Sequence, residues 1–237
     1  MKIDVIDYSR KLSESLFTGK TAIVIDVFRC TTSMITALKN GAAEIVPTRE
    51  PEDAVAAANR IGRKDCVLGG ERGGLRMPGF DFGNSPFEYS SENVRNKNVV
   101  ISTTNGSNAI CKAEGAEYLF LGAMTNSSAA ARRAAETGKD VLILCSGNHE
   151  TTAAEDWYAA GAITHALRQL EKETELTDTA LIAEQLYLDI QNNTFDLSKT
   201  LHYRELYDLG FADDIEYCLR QDICDCVPVY KNGILQC

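Results

Sequence analysis

Short apolar runs alternate with Ala-rich amphipathic segments along most of the chain. Ala22-Ile23-Val24-Ile25 is a continuous apolar run of strand length, and Met34, Ile35 and Leu38 then recur at helical spacing over Ser33 to Asn40. Glu44-Ile45-Val46-Pro47 reads as a strand closed by its proline. Pro51 suits the first turn of a helix over Glu52 to Ile61, where its missing N–H costs nothing. Asp65 to Leu68, Val99 to Ile101, Tyr118 to Leu121 and Val141 to Leu144 read as further strands, with helices over Ser107 to Ala113 and Ser127 to Thr137 between them. Two more helices are expected over Thr151 to Lys172 and Thr179 to Asp189. Beyond Asn192 the pattern is polar and less regular, apart from a helix over Asp213 to Arg220 and a strand near Val227 to Tyr230.

Short apolar strands separated by helices predict an α/β fold, with a largely parallel or mixed sheet covered on both faces. The order strand, hydroxyl-rich turn, helix, glycine, strand occurs twice, through Thr31-Thr32 to Gly41 and through Thr103-Thr104 to Gly115. Two similar halves would explain that echo. No Pro/Ser/Gly-rich linker separates them, so one continuous domain is expected.

At 237 residues the chain can bury a full core without disulfides or metals. Its 24 basic and 34 acidic residues leave a net charge of −10, which disfavours nucleic acid or an anionic membrane as a partner. A small anionic ligand is still allowed, because it needs only a local cluster of donors or a metal. No apolar run approaches the ~18 residues that span a bilayer, and the N-terminal residues lack a signal-peptide core, so a cytoplasmic protein is expected. A homodimer is expected only from the prevalence of such assemblies. Of the eight cysteines, Cys30, Cys66, Cys111 and Cys145 lie in or beside apolar segments and read as small buried hydrophobes. Cys218, Cys224, Cys226 and Cys237 form no CxxC pair and read as reduced.

Four polar clusters directly follow predicted strands, which is where open α/β sheets bind ligands. The first is Asp26-Val27-Phe28-Arg29-Cys30-Thr31-Thr32. Asp26 sits on a rigid strand tip suited to Mg²⁺, Arg29 offers a forked donor, and Thr31 and Thr32 stand at a helix start that favours anions. A plain helix cap accounts for the threonines equally well. Gly69-Gly70-Glu71-Arg72-Gly73-Gly74 lets backbone approach a ligand and adds a carboxylate and a cation. Ser102-Thr103-Thr104-Asn105-Gly106 reads as a second anion nest. Gly147-Asn148-His149-Glu150 precedes Glu155-Asp156, paired acids that would ligate Mg²⁺ or simply complement the helix dipole. Asp81, Asn84 and Ser85 suggest a wall or lid. His165 and His202 carry no evident role.

Several familiar chemistries fail. There is no GxGxxG after the first strand, no P-loop, and no G-x-S-x-G elbow. Ile23 to Phe28 is superficially similar to phosphatases with an aspartyl nucleophile, but Phe28 stands where their second aspartate would fall. No arginine follows Cys30 at the spacing of a cysteine phosphatase loop, so Cys30 reads as packing or lining the site.

Taken in order, Ile23 to Thr32, Leu68 to Arg72, Gly79 to Pro86 and Ser102 to Gly106 together resemble the 2-phosphosulfolactate phosphatase family, with likeness continuing through Glu155-Asp156 and Gly210 to Ile215. The resemblance implies a single domain over residues 1–237 with a three-layer α/β/α fold. It also implies a Mg²⁺-dependent phosphatase converting (2R)-2-phospho-3-sulfolactate to (2R)-3-sulfolactate and phosphate, a step in coenzyme M biosynthesis. On this reading Asp26, Glu71 and Asp156 are the metal carboxylates. Arg29 and Arg72 offset phosphoryl charge, and Asp81 is a base or a support to the metal ligands. Cys30, Thr31, Thr32, Ser102, Thr103, Thr104, Asn105 and Gly106 receive the anionic groups of the substrate. A phosphatase of another phosphorylated hydroxy acid, a transferase or lyase of the same architecture, and a non-catalytic small-anion binder remain alternatives.

Overall fold

The runs rich in Val, Ile and Leu become strands because both faces of the sheet they form are covered. The computed structural model describes residues 1–8, 11–149 and 151–237. Its strands are β1 (Lys2–Asp7), β2 (Thr21–Ile25), β3 (Glu44–Thr48), β4 (Cys66–Arg72), β5 (Leu75–Arg76), β6 (Asn98–Ser102), β7 (Tyr118–Gly122), β8 (Val141–Cys145), β9 (Glu175–Leu176), β10 (Val229–Lys231) and β11 (Ile234–Gln236). Its helices are α1 (Cys30–Lys39), α2 (Pro51–Ile61), α3 (Ser91–Val94), α4 (Gly106–Lys112), α5 (Ser127–Ala135), α6 (Ala154–Leu170), α7 (Asp178–Gln191), α8 (Leu201–Asp208) and α9 (Ala212–Cys218).

One mixed sheet runs in the order β5-β4-β6-β3-β11-β10-β7-β2-β8-β1-β9. The block β7-β2-β8-β1-β9 is parallel, as is the block β4-β6-β3, and the antiparallel hairpin β10–β11 joins them. Read outward from that hairpin, the order is β7, β2, β8 one way and β3, β6, β4 the other. The units β2-α1-β3 and β6-α4-β7 each leave one block and enter the other, so the echo in the sequence corresponds to matching connections.

Alternation along single strands separates three cores. Ala22 and Val24 of β2 join Leu142 and Leu144 of β8, Val99 and Ile101 of β6, Met34 and Ile35 of α1, and Ala109 and Ile110 of α4. Ile23 and Ile25 face the opposite way, against α5, α6 and α7. Val100 of β6 faces Ala54, Ala57 and Ala58 of α2. Helices therefore cover both faces in an α/β/α arrangement, with α1 and α4 sharing one layer.

Differences from the expected elements have local causes. The helix expected from Thr151 begins at Ala154, because Asn148 and Thr151 exchange backbone hydrogen bonds of 2.9 Å in each direction. β1 escapes a simple apolar reading because Lys2, Asp4 and Asp7 interrupt it, yet Ile3 and Val5 are fully buried. Cys226 and Cys237 form a disulfide across the β10–β11 hairpin, correcting the expectation that both are reduced. The hairpin turn at Asn232-Gly233, both with positive φ, brings them together. No helix among the described residues is long and apolar enough to cross a membrane.

Candidate active site

Asp26 follows the last residue of β2, and the loop after it is built largely around its carboxylate. The Cys30 N–H donates to Asp26 Oδ1 at 3.0 Å. Thr31 Oγ1 accepts the Asp26 N–H and donates back toward the Asp26 and Gly122 carbonyls, while the Thr32 hydroxyl donates to the Val27 carbonyl. Both threonine hydroxyls are thus turned inward and brace the loop instead of facing a ligand. Burial pushes the Asp26 carboxyl up to about 6, with the Cys30 N–H and His202 opposing the shift and Glu71 adding to it. Burial and then the Asp26 charge raise the Cys30 thiol well above its ordinary range, which removes the thiolate that a nucleophile requires.

The loops after β4 and β6 meet this one. An added Cβ at Gly106 would lie 2.6 Å from Asp26 Oδ2 and 2.6 Å from Cys30 Cβ, so only glycine lets α4 begin there. A Cβ at Gly70 would fall 2.0 Å from the Ser102 carbonyl, which explains one glycine of the Gly69 to Gly74 cluster. Glu71 ties the two loops together. Its Oε1 accepts the Thr104 N–H at 2.8 Å, and its Oε2 accepts the Gly74 N–H at 2.9 Å and the Thr104 hydroxyl at 3.3 Å. Thr103 and Ser107 cap each other reciprocally. Arg72 is spent on Ser102 Oγ and on the carbonyls of Glu71 and Arg49.

Asp156 on α6 supports the same region from beneath. Its Oδ1 accepts the Val27 N–H at 2.8 Å, and its Oδ2 accepts the Gly147 N–H at 3.0 Å and the Ser146 hydroxyl at 3.2 Å. Burial, then the Glu155 and Asp26 charges, hold its carboxyl well above the usual range. Asp81 lies elsewhere, receiving the Leu68 N–H and an Arg63 ion pair that is about two-fifths exposed on both sides.

One cavity is walled by Asp26, Arg29, Glu71, Thr104 and Asn105 from the predicted set, together with Asn148 and His149. Cys30, Thr31, Thr32, Ser102, Thr103, Gly106, Arg72, Asp81 and Asp156 are not on its wall. Glu150 lies outside the described residues. Asn84 does line the cavity, and its Oδ1 is buried without a hydrogen-bond partner. Among the described residues, no group of three or more His, Cys, Asp or Glu side chains is arranged to hold a metal ion.

The polar C-terminal third supplies side chains that the periodicity does not reveal. His202 and Leu206 of α8 complete the cavity wall, so the bland reading of His202 is corrected. His202 Nδ1 is hydrogen-bonded to Glu155 Oε1 of α6. Burial alone would lower the His202 pKa, but the bond and charge of Glu155, with Asp26 and Glu205 nearby, outweigh it and hold the imidazole above its ordinary 6.5. Glu205 accepts from Asn148 Nδ2 at 2.9 Å. Arg29 is almost wholly buried. It donates to Asp214 of α9 at 2.5 Å and to the Gly74 carbonyl at 2.7 Å, and its guanidinium lies 3.9 Å from the centre of the Phe211 ring. His202 and Leu206, four residues apart, share one face of α8, and that spacing is the sequence signal that sets both on the cavity wall.

Comparison with known proteins finds relatives along nearly the whole chain. A family model described as 2-phosphosulpholactate phosphatase matches residues 7–233. A probable 2-phosphosulfolactate phosphatase of Clostridium beijerinckii is 37% identical over 237 residues, covering 100% of both chains. Proteins of the same name from Clostridium novyi and Caldanaerobacter subterraneus are 38% identical over 97% of each chain and 39% identical over 92% of this chain and 90% of the relative.

Proposed function

This chain belongs to the 2-phosphosulfolactate phosphatase family, and from that premise we propose that it hydrolyses (2R)-2-phospho-3-sulfolactate with the help of Mg²⁺. Family membership makes it a phosphoric monoester hydrolase. The observation that carries the reading is the convergence of four strand-end loops on one cavity whose wall holds both the Asp26 and Glu71 carboxylates. A receptor for anions gains nothing from two acids unless a cation or a proton transfer uses them.

The residues present fit Mg²⁺, which usually takes one or two protein carboxylates and fills its remaining positions with water and substrate oxygens. Asp26 and Glu71 would hold it, with the unpartnered Asn84 Oδ1 as a further oxygen donor on the same wall. Asp156 is off the cavity wall and would serve by fixing the Val27 and Gly147 backbone. When bound, the ion would neutralise phosphoryl charge and lower the pKa of an attacking water. The chain itself contributes position and exclusion of water. Thr104 and Asn105 border the substrate, the β2–α1 loop holds Asp26 rigid, and α8 with Leu206 closes the cavity on one side. The same reading makes the partner a diffusible anionic metabolite in the cytoplasm, with neither nucleic acid nor membrane involved.

Inorganic phosphate release from phosphosulfolactate, 2-phospholactate and other phosphorylated hydroxy acids tests this. Release should be fastest from phosphosulfolactate, stop with EDTA and return with excess Mg²⁺. Faster release from an ester without the sulfonate would replace the substrate. No release from any ester with Mg²⁺ present would overturn the hydrolytic reading.

A further inference from the structure

We propose that His202 is the catalytic residue that protonates the departing ester oxygen, and that Glu155 is the positioning residue that holds it to this task. The inference rests on the phosphoester hydrolysis read above. Glu155 binds Nδ1, which leaves Nε2 as the ring nitrogen free to serve the cavity that His202 lines. Glu155 is fully buried, and its Oε2 has no hydrogen-bond partner. A merely structural contact to a histidine gains nothing from a buried carboxylate left half unsatisfied, because that oxygen retains its desolvation cost. A carboxylate whose work is to stabilise an imidazolium does account for it.

The surroundings favour the protonated ring. Glu155 is hydrogen-bonded to it from α6 and Glu205 adds charge from its own helix, so the ring is favoured in its protonated form even where Mg²⁺ takes up the Asp26 charge. Phe28 meets the ring edge-on with centroids 5.8 Å apart, excluding water from that side. Arg29, the cation on the same wall, is neutralised by Asp214, and the His149 side chain on that wall is exposed to solvent.

The step balances. The phosphorus–oxygen bond to the alcohol breaks with its electron pair moving to oxygen, which takes the Nε2 proton. The entering water forms the new bond, keeps one proton as the P–OH of inorganic phosphate, and yields the other to solvent, from which His202 is reprotonated. An unactivated secondary alcohol is a poor leaving group without that proton, whereas p-nitrophenolate departs readily unprotonated.

The test compares phosphosulfolactate with p-nitrophenyl phosphate in His202→Asn, whose amide retains a donor toward Glu155. With a folded variant, kcat for the alkyl ester should fall by ~10²–10⁴, and the alkyl-to-aryl ratio of kcat should fall about 100-fold. An equal loss on both substrates, or no loss, overturns the assignment. Glu155→Gln keeps an acceptor but removes the charge, so the alkaline limb of kcat/KM for phosphosulfolactate should move to lower pH; an unmoved limb rejects Glu155 as the positioning residue. Failure of the wild type to release phosphate from any ester would sink the phosphatase reading and this proposal together. An active wild type with an unchanged ratio in His202→Asn would sink the proposal alone.

Discussion

Asp26→Asn should lower turnover by at least ~100-fold and yet make the metal-free protein more stable at neutral pH. The gain follows from the direction of the Asp26 shift. In the folded chain its carboxyl titrates at about 6, above the ordinary 3.8, because burial opposes the charged form. A proton is therefore bound more tightly in the folded state. The stability this contributes is fully present below the unfolded pKa and is lost as pH rises through about 6. Above that, the wild type carries the cost of a buried charge, of the order of 2–3 kcal/mol, which asparagine does not carry. The amide oxygen can still accept the Cys30 N–H, so the loop keeps its anchor. Urea unfolding in EDTA should show the variant more stable at about pH 7.5 and level with wild type at about pH 4. A variant no more stable than wild type at the higher pH would contradict the buried-charge account.

The second large effect concerns the ion pair beneath the cavity. Asp214→Ala should destabilise the protein by ~3–5 kcal/mol, because the Arg29 charge would remain buried without its partner. Arg29 and Asp214 side chains are 2% and 6% exposed, and Asp214 also accepts the Ser85 hydroxyl at 2.7 Å. For a chain of this length the change corresponds to a melting temperature lower by roughly 10 °C. Asp225→Ala is the matched control, since the Arg132–Asp225 pair is 53% and 93% exposed. Its loss should cost at most ~1 kcal/mol. Similar melting temperatures for the two variants would show that Arg29 is not held by Asp214 in solution. Activity should fall along with stability in Asp214→Ala, because Arg29 also ties the β2–α1 loop to the Gly74 carbonyl.

What was legible in the sequence follows burial. The strands β2, β3, β4, β6, β7 and β8 are read directly from apolar runs, because each sits inside a sheet covered on both faces. The hairpin strand Ile234–Gln236 is missed, although the Asn232-Gly233 turn announces it. Helix α8 is missed for a different reason. It buries fully only Leu206, so its face toward the core is too narrow for periodicity to register.

The site divides along the same line. Asp26, Arg29, Thr104 and Asn105 follow strands, Glu71 stands at the end of β4, and all five reach the cavity. The Thr31 and Thr32 hydroxyls fit neither the ligand nor the capping reading: α1 has Arg29 at its N-cap without a side-chain cap bond, and both hydroxyls donate to the upstream Asp26 and Val27 carbonyls. Arg29 has a different lesson. A forked donor between an acid and two threonines suggests phosphate, yet its partner Asp214 lies 185 residues away and no local pattern announces it. His202 depends on the same long-range assembly, since its significance comes only from Glu155 and the cavity.

The most direct test of the account is a crystal structure grown with sulfolactate and Mn²⁺ in place of Mg²⁺, with the cation located by its anomalous signal. The predicted result is a cation held by the Asp26 and Glu71 carboxylates, with the 2-hydroxyl of sulfolactate within hydrogen-bond reach of His202 Nε2. A cation seated away from Asp26 and Glu71, or sulfolactate bound outside this cavity, would contradict it.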